Sequence, residues 1–466
     1  MNLSITSPAF YLLVGVTTVL LRIVPPALRK GVLLTASAIF YLAADLASGI
    51  LGLLIVGVNL VLFRALVLAQ EERAKDRIYY ASIAFNLAAF VTLKLTFESF
   101  AGTASAPWSV AGISLAYPLG LSFVILMLHA ALSDAYSGRL STLGRPGTFV
   151  LYSVFFPYVT SGPVERLGHM QTQFEALRKP TLEDLRAGIA LIALGLVKKL
   201  VVANRLGPYV SNVFGGGAPY SATTLALAVA LNVAHMYADF SGYTDIARGA
   251  ARCLGIEVGE NFNRPFVSRS VTEYWRRWHI SFSSWLRDYL YMPMAFALSR
   301  KTSAAPSIAI FLTFLAAGFW HRAAWTFVLF GLLHGLVLAL EQRYGKAIPK
   351  DGGVWRRRFQ ILAARGYTLA FIGLALILFT AKNVGEASQI LSRLALSPVV
   401  PWPRELFGYL GPFMFALMTG SVILWRLLDW WQESLSPKGT PAFLLLCAAA
   451  VVFLGTDGPG FIYVQF

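Results

Sequence analysis

Apolar runs long enough to cross a lipid bilayer recur along this chain, and they limit its fold more than any other feature. A transmembrane helix needs ~20 mostly apolar residues to cross a hydrocarbon core of ~30 Å. Runs near that length lie at Ile5–Leu21, Ile78–Leu93 and Ala111–Leu132, and Val32–Leu68 is long enough for two crossings. Because lipid offers the backbone no hydrogen-bond partners, such segments must be helices. The pattern predicts an all-α, polytopic membrane protein with about eleven spanning or partly spanning helices.

The composition agrees with burial in lipid, and it argues against a disulfide framework and against a metal site. Hydrophobic residues make up 57% of the chain and charged residues 13%, a balance that is too apolar for a soluble domain. Cys253 and Cys447 are too few for a disulfide framework or a four-thiolate metal site, and we interpret both as packing residues. The six histidines include neither an H-x-x-x-H nor an H-E-x-x-H pattern, so we expect no metal.

The net charge of +16 is distributed in a way that indicates membrane topology and not nucleic-acid binding. Basic residues cluster in short loops at 22–30, 73–77 and 139–145, whereas the loop at 96–112 has no Lys or Arg. By the positive-inside rule, the N-terminus is predicted to lie outside and the first basic loop in the cytoplasm. The opening MNLSITSPAF lacks a basic leader pattern, so we expect the first apolar run to be a retained span.

The chain shows no long linker and no repeat at a fixed period, so we predict a single domain over residues 1–466. The N-terminal third, through about Leu132, consists of plain apolar spans and is expected to act as a scaffold. The stretch Leu151–Arg166 starts as a span but is interrupted by Pro157, Gly162 and Pro163. Proline removes a backbone donor and glycine loosens a helix, so this stretch is predicted to be a broken, re-entrant element.

Polar residues enter the apolar pattern between about 232 and 335. Asn232, His235, Asp239 and Tyr243 are spaced by three or four, which places them on one face of a helix. A carboxylate within the membrane is costly unless it is paired or hydrated, so Asp239 is a candidate functional residue. The alternative is that it ties neighbouring helices together, and both interpretations stay open. Asn232 and His235 are interpreted as structural.

The segment from 268 to 293 combines aromatic and basic residues. Ser270 and Glu273 match a capping box and predict a helix start. We expect one interfacial helix from there, with its indoles among the lipid headgroups and Arg276, Arg277 and Arg287 pointing elsewhere. The residues predicted on its aromatic face are Trp275, Trp278, His279, Phe282, Trp285, Leu286 and Tyr289. An anchor explains the indoles, but a buried imidazole needs a hydrogen-bond partner, so His279 is a candidate functional residue.

Two further histidines lie in the string AAGFWHRAAWTFVLFGLLHG. His321 lies at a joint between two apolar segments, flanked by Trp320 and Arg322. A single histidine near a helix end is more often a packing residue. His334 lies among apolar residues with Gly331 and Gly335 beside it, and close helix packing is its expected role, with a catalytic role as the alternative.

Several strings together resemble the membrane-bound O-acyltransferase superfamily. They are YADFSGYTDIARG, ENFNRPFVSRSVTEYWRRWHISFSSWLRDYLY, GFWHRAAWTFVLFGLLHG, FPYVTSGPVER and the C-terminal FIYVQF. The similarity is to the bacterial branch typified by the alginate O-acetyltransferase membrane subunit, which includes peptidoglycan O-acetyltransferases and the D-alanyl transferase of teichoic acids. One departure lies at Ser122–Ala130, where the chain has SFVILMLHA in place of the S-F-Y-T-F-Q string that alginate-type members carry, and His129 falls in the following turn.

The resemblance implies a fold, an activity and two active-site residues. The fold is a ring of tilted helices around a thin, funnel-shaped centre, with short cytoplasmic helices and a tunnel joining the two sides. His321 matches the family's active-site histidine and His279 its second one. The implied setting is a bacterial inner membrane, with an acyl donor of coenzyme A or an acyl carrier phosphopantetheine, no bound cofactor, and a periplasmic acyltransferase partner. Membrane lipids are the remaining partners, and no nucleic acid is expected.

Acyl transfer from a thioester to a hydroxyl needs a base and donors that stabilise an oxyanion. We assign His321 as the general base, while His279 orients the donor, stabilises charge or tunes His321. Arginines near the predicted cytoplasmic mouth are suited to phosphates, although positive-inside charge also explains each of them. The candidate donor- or substrate-binding residues are Asp239, Tyr243, Arg264, Arg269, Trp275, Arg276, Arg277 and Trp320.

Three functional hypotheses remain open from the sequence. The first is an acyltransferase that modifies an extracytoplasmic polysaccharide through a periplasmic partner. The second is an acyltransferase of the same fold acting on a lipid or small-molecule alcohol in the membrane. The third is a transporter or exporter component without chemistry of its own, for which paired broken helices in two related halves would be expected. The chain has one broken segment and no such symmetry.

Overall fold

The computed structural model describes residues 5–97, 108–110, 113–215, 220–345, 353–400, 404–433 and 439–458. The C-terminal string FIYVQF, at 461–466, lies outside the described residues. Nineteen α-helices and one short antiparallel hairpin make up nearly all the regular structure of the described part, which confirms the all-α class.

The elements follow one another along the chain, with a 3₁₀ turn at Pro265–Val267 and π-helical segments at Val197–Ala203 and Arg287–Tyr291. In order they are α1 (Pro8–Ile23), α2 (Pro26–Ala44), α3 (Leu46–Leu68), α4 (Glu72–Phe97), β1 (Trp108–Val110), β2 (Ile113–Leu115), α5 (Leu121–Tyr136), α6 (Pro146–Val154), α7 (Leu167–Glu175), α8 (Leu182–Leu196), α9 (Asn204–Gly215), α10 (Ala222–Cys253), α11 (Val271–Arg277), α12 (Ile280–Leu286), α13 (Met292–Ser299), α14 (Ala305–His321), α15 (Trp325–Tyr344), α16 (Val354–Thr380), α17 (Val384–Leu396), α18 (Arg404–Glu433) and α19 (Thr440–Leu454).

Five described helices, α2, α3, α4, α15 and α16, are long and apolar enough to cross a membrane. Shorter apolar helices are α1, α5, α14 and α19. The long run Val32–Leu68 divides into two helices at Asp45, whose carboxylate caps α3 by accepting a hydrogen bond of 2.8 Å from the Ser48 N–H. The protein is therefore a multi-pass membrane protein, and the count of about eleven spans stays a prediction.

The run Ala111–Leu132 does not form the single span that its hydropathy predicts. Residues Ile113–Leu115 form a strand, and α5 begins only at Leu121. Gly120 precedes it in the left-handed region, at φ 64°, with its Cα against the backbone carbonyl of Val159. Any side chain there would collide with that carbonyl, so glycine is required. Hydropathy measures the apolar character of a run and is blind to such a contact.

The predicted break after Leu151 is present. Helix α6 ends at Val154, and the chain continues without regular helix through Arg166. Its side chains are nonetheless buried, among them Phe155, Phe156 and Val159. Tyr158 donates to the carbonyl of Tyr152 at 2.7 Å. Irregular backbone is thus packed inside protein, as it must be wherever lipid surrounds the molecule.

Helices α8 and α10 cross at glycines, where their backbones nearly touch. A Cβ atom at Gly249 would lie 2.5 Å from the carbonyl oxygen of Gly188, and one at Gly195 would lie 2.6 Å from that of Gly242. Small residues permit the two backbones to come this close. In lipid there is no hydrophobic driving force between helices, so close van der Waals packing of this kind holds them together.

A Gly249→Val variant should therefore lower the thermal unfolding temperature in detergent. The side chain must push α8 away, and overpacking of this kind costs about 1–3 kcal/mol or more. Gly57→Val is the matched control, because a Cβ at Gly57 meets no atom within 4 Å. Equal melting temperatures for the two variants would contradict the close crossing.

Candidate active site

His321 is the last residue of α14, where the chain turns toward α15. The following residue, Arg322, is extended at φ −158°, and α15 begins at Trp325. The imidazole is 4% exposed and lies among aromatic rings, with centroid distances of 4.9 Å to Trp320 and 5.3 Å to Phe379. The predicted joint between two apolar segments is thus a break between two helices that holds the ring inside the protein.

Lys94 contacts this same helix end, and the sequence interpretation did not include it. Its side chain is fully buried, and its ammonium donates to the carbonyl oxygen of His321 at 3.3 Å. A cation at a helix C-terminus stabilises the partial negative charge there. A signal was available, because an ionisable residue ending the apolar run Ile78–Leu93 is a functional candidate by default. Its partner could not be identified, because it lies 227 residues away.

The single interfacial helix predicted from 268 to 293 is wrong. Helix α11 ends at Arg277, α12 starts at Ile280, and His279 between them adopts the left-handed conformation at φ 46°. For a residue other than glycine that conformation costs roughly 1–2 kcal/mol. The indoles of Trp275, Trp278 and Trp285 are buried in protein and do not lie at the headgroups, so the anchor interpretation is also wrong.

One of the two hydrogen bonds of the capping box predicted at the start of α11 is present. The hydroxyl of Ser270 accepts from the N–H of Glu273 at 3.0 Å. The Glu273 carboxylate, however, accepts from the N–H of Arg269 at 2.9 Å, one residue before the expected partner. It also pairs with Arg277 at 3.0 Å. The helix start was therefore predicted correctly, although the second hydrogen bond of the box is shifted by one residue.

The break at His279 brings the two candidate histidines into contact with one ring, that of Phe282. Phe282 lies 5.0 Å from the His279 ring and 5.7 Å from the His321 ring, measured between centroids. It also stacks on Trp320 at 4.4 Å. Phe240 of α10 closes the far side of His279 at 4.7 Å. The two imidazoles thus belong to one buried aromatic cluster, although they lie in different helical segments.

A cavity of about 820 Å³ lies beside this cluster, lined by both polar and apolar groups. Arg269 and Arg276 line it, as do Arg287 and Glu341, whereas Arg264 and Arg277 lie outside its lining. Trp275 forms part of its wall. Of the predicted arginines, the structure therefore gathers two around a common space and adds Arg287.

Trp275 also lines a second, much smaller cavity, which the His321 ring borders. That cavity measures about 20 Å³, and its other walls include the His334 imidazole as well as Phe330 and Phe379. One water molecule needs ~10–15 Å³. Among the described side chains, the space beside His321 is thus little larger than one water molecule and far smaller than the arginine-lined cavity.

A comparison with protein families identifies the family of proteins in which these two histidines occur. The family model for MBOAT, the membrane-bound O-acyltransferase family, matches residues 131–381, which is more than half of the chain. The chain belongs to the membrane-bound O-acyltransferase family. The matched region contains both histidines, the broken segment at 155–166 and the arginine-lined cavity, while Lys94 lies before it.

This member of the family is similar to curated bacterial proteins over part of their length. It is 37% identical over 271 residues to a probable alginate O-acetylase, AlgI, of Azotobacter vinelandii, covering 58% of this chain and 52% of the relative. It is 30% identical over 305 residues to the peptidoglycan O-acetyltransferase of Helicobacter pylori, covering 60% and 57%. For the teichoic acid D-alanyltransferase of Bacillus subtilis the identity is 28% over 278 residues, covering 57% and 69%. The chain spans about half the length of the alginate and peptidoglycan relatives.

The polar stripe on α10 forms as predicted, but three of its members bond to neighbouring segments of the protein. The carboxylate of Asp239 pairs with Lys199 at 2.7 Å, and the two side chains are 1% and 5% exposed. The amide of Asn232 donates to the Thr380 hydroxyl at 2.9 Å. The Tyr243 hydroxyl accepts from the N–H of Ser161 at 2.9 Å. These contacts join α10 to its neighbours, which favours the structural alternative for Asp239.

Trp320 and His334 do not line the arginine-lined cavity. Trp320 donates from its indole nitrogen to the carbonyl of Ser122 at 3.3 Å and lines an apolar cavity of about 310 Å³ that includes His129. His334 lies on α15, where Gly331 would place a Cβ 2.4 Å from the carbonyl oxygen of Phe314 on α14. The close packing predicted around His334 is confirmed.

Proposed function

We propose that this chain is a membrane-embedded O-acyltransferase that moves an acetyl or other short acyl group from a thioester donor on the cytoplasmic side to a hydroxyl acceptor. The final acceptor in this proposal is an extracytoplasmic polysaccharide, and a periplasmic acyltransferase partner completes the transfer to it. The observation that carries it is the family match over 131–381 together with the burial of His321 and His279 in one aromatic cluster inside that region. The relatives named as acetylating alginate and peptidoglycan support the acceptor class.

In the proposed reaction His321 takes the proton of the acceptor hydroxyl as its oxygen attacks the thioester carbonyl. A tetrahedral oxyanion forms, its C–S bond breaks as the carbonyl is restored, and the thiolate takes the proton from the imidazolium. General base catalysis of this kind contributes about 10²–10⁴-fold to the rate. His279 is assigned the orientation of the donor, the stabilisation of developing charge or the tuning of His321, since both imidazoles lie against Phe282.

The donor is proposed to enter through the arginine-lined cavity. Its volume of about 820 Å³ is within the usual range for ligand pockets of ~300–1,000 Å³. Guanidinium groups suit the phosphates of coenzyme A or a phosphopantetheine carrier. Trp275 separates this space from His321, and its indole N–H has no hydrogen-bond partner among the described residues. An indole without that bond is easier to displace by an arriving thioester.

A combined Arg269→Ala and Arg276→Ala variant should raise the KM for acetyl-coenzyme A by roughly tenfold to a hundredfold, since each lost charge-assisted bond is worth about 1.4 kcal/mol or more. Turnover at saturating donor should change little, and added salt should reduce the difference. Arg300→Ala is the control, because Arg300 is exposed and lies outside the cavity lining. An unchanged KM in the double variant would exclude these arginines from donor binding.

A second candidate acceptor is a lipid or small-molecule alcohol within the membrane. The apolar cavity lined by His129, Phe282 and Trp320 supports it, because it could hold an aliphatic chain and two of its rings contact His321. The family assignment gives no support to the third hypothesis, a transporter without chemistry.

Membranes containing the protein should be supplied with radiolabelled acetyl-coenzyme A or an acetyl-loaded acyl carrier in parallel. Label in polysaccharide, dependent on a co-expressed periplasmic acyltransferase, is the expected result. Label in the lipid extract would instead support the second candidate. Membranes with a His321→Ala variant are the control for transfer by other enzymes. No difference between wild-type and variant membranes would contradict the proposed activity.

The proposal also includes a membrane location, a topology and a set of partners. The chain is a multi-pass protein of the bacterial inner membrane with its N-terminus outside. It has a periplasmic acyltransferase as partner, together with the acyl donor and membrane lipids. A periplasmic reporter fused to residue 1 should be active in whole cells, and a cytoplasmic reporter at the same position should be inactive.

A further inference from the structure

The turn that carries His279 is held in an unfavourable conformation by contacts from distant parts of the chain. We propose that Asn261 and Ser281 are positioning residues that fix the His279 imidazole beside His321 by locking this left-handed turn. The inference rests on the proposed function, because it assigns a role to the surroundings of one of its two histidines. It concerns residues that neither the sequence interpretation nor the comparisons assign.

The backbone on both sides of His279 pairs with the segment 261–263. The N–H of Ile280 donates to the carbonyl of Asn261 at 2.9 Å, and the N–H of Asn263 donates to the carbonyl of Arg277 at 2.9 Å. Phe262 and Trp278 form an antiparallel bridge between these two bonds. The residues before and after His279 are therefore tied to one straight segment, and the chain must turn sharply between them.

Side chains fasten the same turn to the irregular segment that follows α6. The carboxamide oxygen of Asn261, a residue only 1% exposed, accepts from the hydroxyl of Ser281 at 2.6 Å and from its N–H at 3.2 Å. The Ser281 hydroxyl in turn accepts from the N–H of Val164 at 2.8 Å. One hydroxyl thus joins three segments that are far apart in sequence.

A second contact holds the pairing segment at its other end. The buried carboxylate of Glu165 accepts from the N–H of Gly259 at 2.6 Å. The segment 259–263 is therefore attached to the FPYVTSGPVER stretch directly through Glu165, and indirectly through the Ser281 hydroxyl that bonds both Asn261 and Val164. This explains what the re-entrant stretch does in the molecule, since it forms the fixed base on which the His279 turn is built.

Loss of the lock should let the turn relax toward an ordinary right-handed or extended backbone, because the left-handed form is disfavoured for histidine. The imidazole would then leave its place beside Phe282. Displacement of a catalytic group by about 1 Å can cost ~10²-fold in rate. Donor binding should be largely preserved, because Arg269 and Arg276, which are proposed to hold the donor phosphates, precede the turn.

The test compares Ser281→Ala and Asn261→Leu with the wild type in the acetyl-coenzyme A transfer assay. We expect kcat to fall roughly 10- to 100-fold, with KM for the donor within about threefold. Ser281→Thr retains the hydroxyl at a half-buried position and should restore kcat to within about threefold of wild type. Matched controls are Ser153→Ala and Asn59→Leu, which remove a buried hydroxyl or amide away from this turn and should leave kcat near the wild-type value.

The decisive comparison is made in a His279→Ala background. His279→Ala alone should lose most activity, and adding Ser281→Ala should cause no further loss, because the hydroxyl acts only through the imidazole. If Ser281→Ala lowers kcat in that background by the same factor as in the wild type, the two residues have a general structural role and the proposal is overturned. Wild-type activity in His279→Ala would also overturn it, while leaving the proposed function to be judged on His321.

A structure of the Ser281→Ala variant gives a result that does not depend on turnover. The expected outcome is that His279 leaves the left-handed region and its ring moves away from Phe282. A His279 residue that keeps its φ near 46° and its contact with Phe282 would refute the lock.

Discussion

A His321→Ala variant is expected to lose acyl transfer by about 10²–10⁴-fold, which is the contribution of a positioned general base. The expectation rests on the location of this residue at the end of α14, where its ring is buried beside Trp320 and Phe379 and borders a space about the size of one water molecule. The rate of label transfer from acetyl-coenzyme A to the acceptor, measured at saturating donor, checks it.

Two controls separate lost chemistry from lost folding. The variant should insert into membranes and melt within a few degrees of the wild type, because the substitution leaves the Lys94 hydrogen bond to the main-chain carbonyl of residue 321 available. His235→Ala is the second control. It removes a histidine that is partly buried and packs against Gly207, and it should keep activity within severalfold of the wild type. Transfer by His321→Ala at a wild-type rate would remove this imidazole from catalysis.

A Lys199→Met variant is expected to lose about 3–5 kcal/mol of folding free energy, because it removes the cation that faces the buried Asp239 carboxylate. The two side chains form an ion pair of 2.7 Å and are almost fully buried. Lys199 belongs to the π-helical segment Val197–Ala203 that faces α10. Thermal unfolding in detergent, followed together with the yield of folded protein, measures the loss.

The double variant Lys199→Met with Asp239→Leu should recover most of that stability, since apolar side chains of similar size replace buried ion pairs at little cost. It also tests the role of Asp239 directly. If the double variant folds and transfers acetyl groups at a near wild-type rate, Asp239 ties helices together and takes no part in substrate binding. Folding without activity would restore it as a candidate site residue.

The sequence predicted the parts of the fold that depend on composition and local patterns. Apolar runs required helices because lipid offers the backbone no partners, the run Val32–Leu68 was long enough for two of them, and a hydroxyl at Ser270 marked the start of α11. Proline and glycine after Leu151 marked a break that the structure contains. The motif strings identified the family, which the match over 131–381 confirms.

The prediction from residue spacing was wrong between 268 and 293. A regular aromatic spacing predicted one helix there, whereas the structure has a break at His279. A helical pattern states which residues could share a face, but it does not include the hydrogen bonds that Asn261 and Val164 supply from elsewhere in the chain. Those bonds compensate the left-handed His279, and the burial of the neighbouring indoles follows from the resulting fold. Hydropathy similarly missed the late start of α5, which a backbone contact at Gly120 decides.

The sequence by itself therefore determined that this protein is helical and lies in a membrane, because the solvent acts on each apolar segment separately. Its motif strings identified the family, and the resemblance indicated which two histidines to consider. Only the tertiary structure decided how those histidines are held. It brought both of them against Phe282, placed Trp275 in the walls of both the His321 cavity and the arginine-lined cavity, and set Lys94 on a helix end 227 residues away. Contacts of that kind arise from the packing of whole helices against one another, and no window of sequence contains both of their partners.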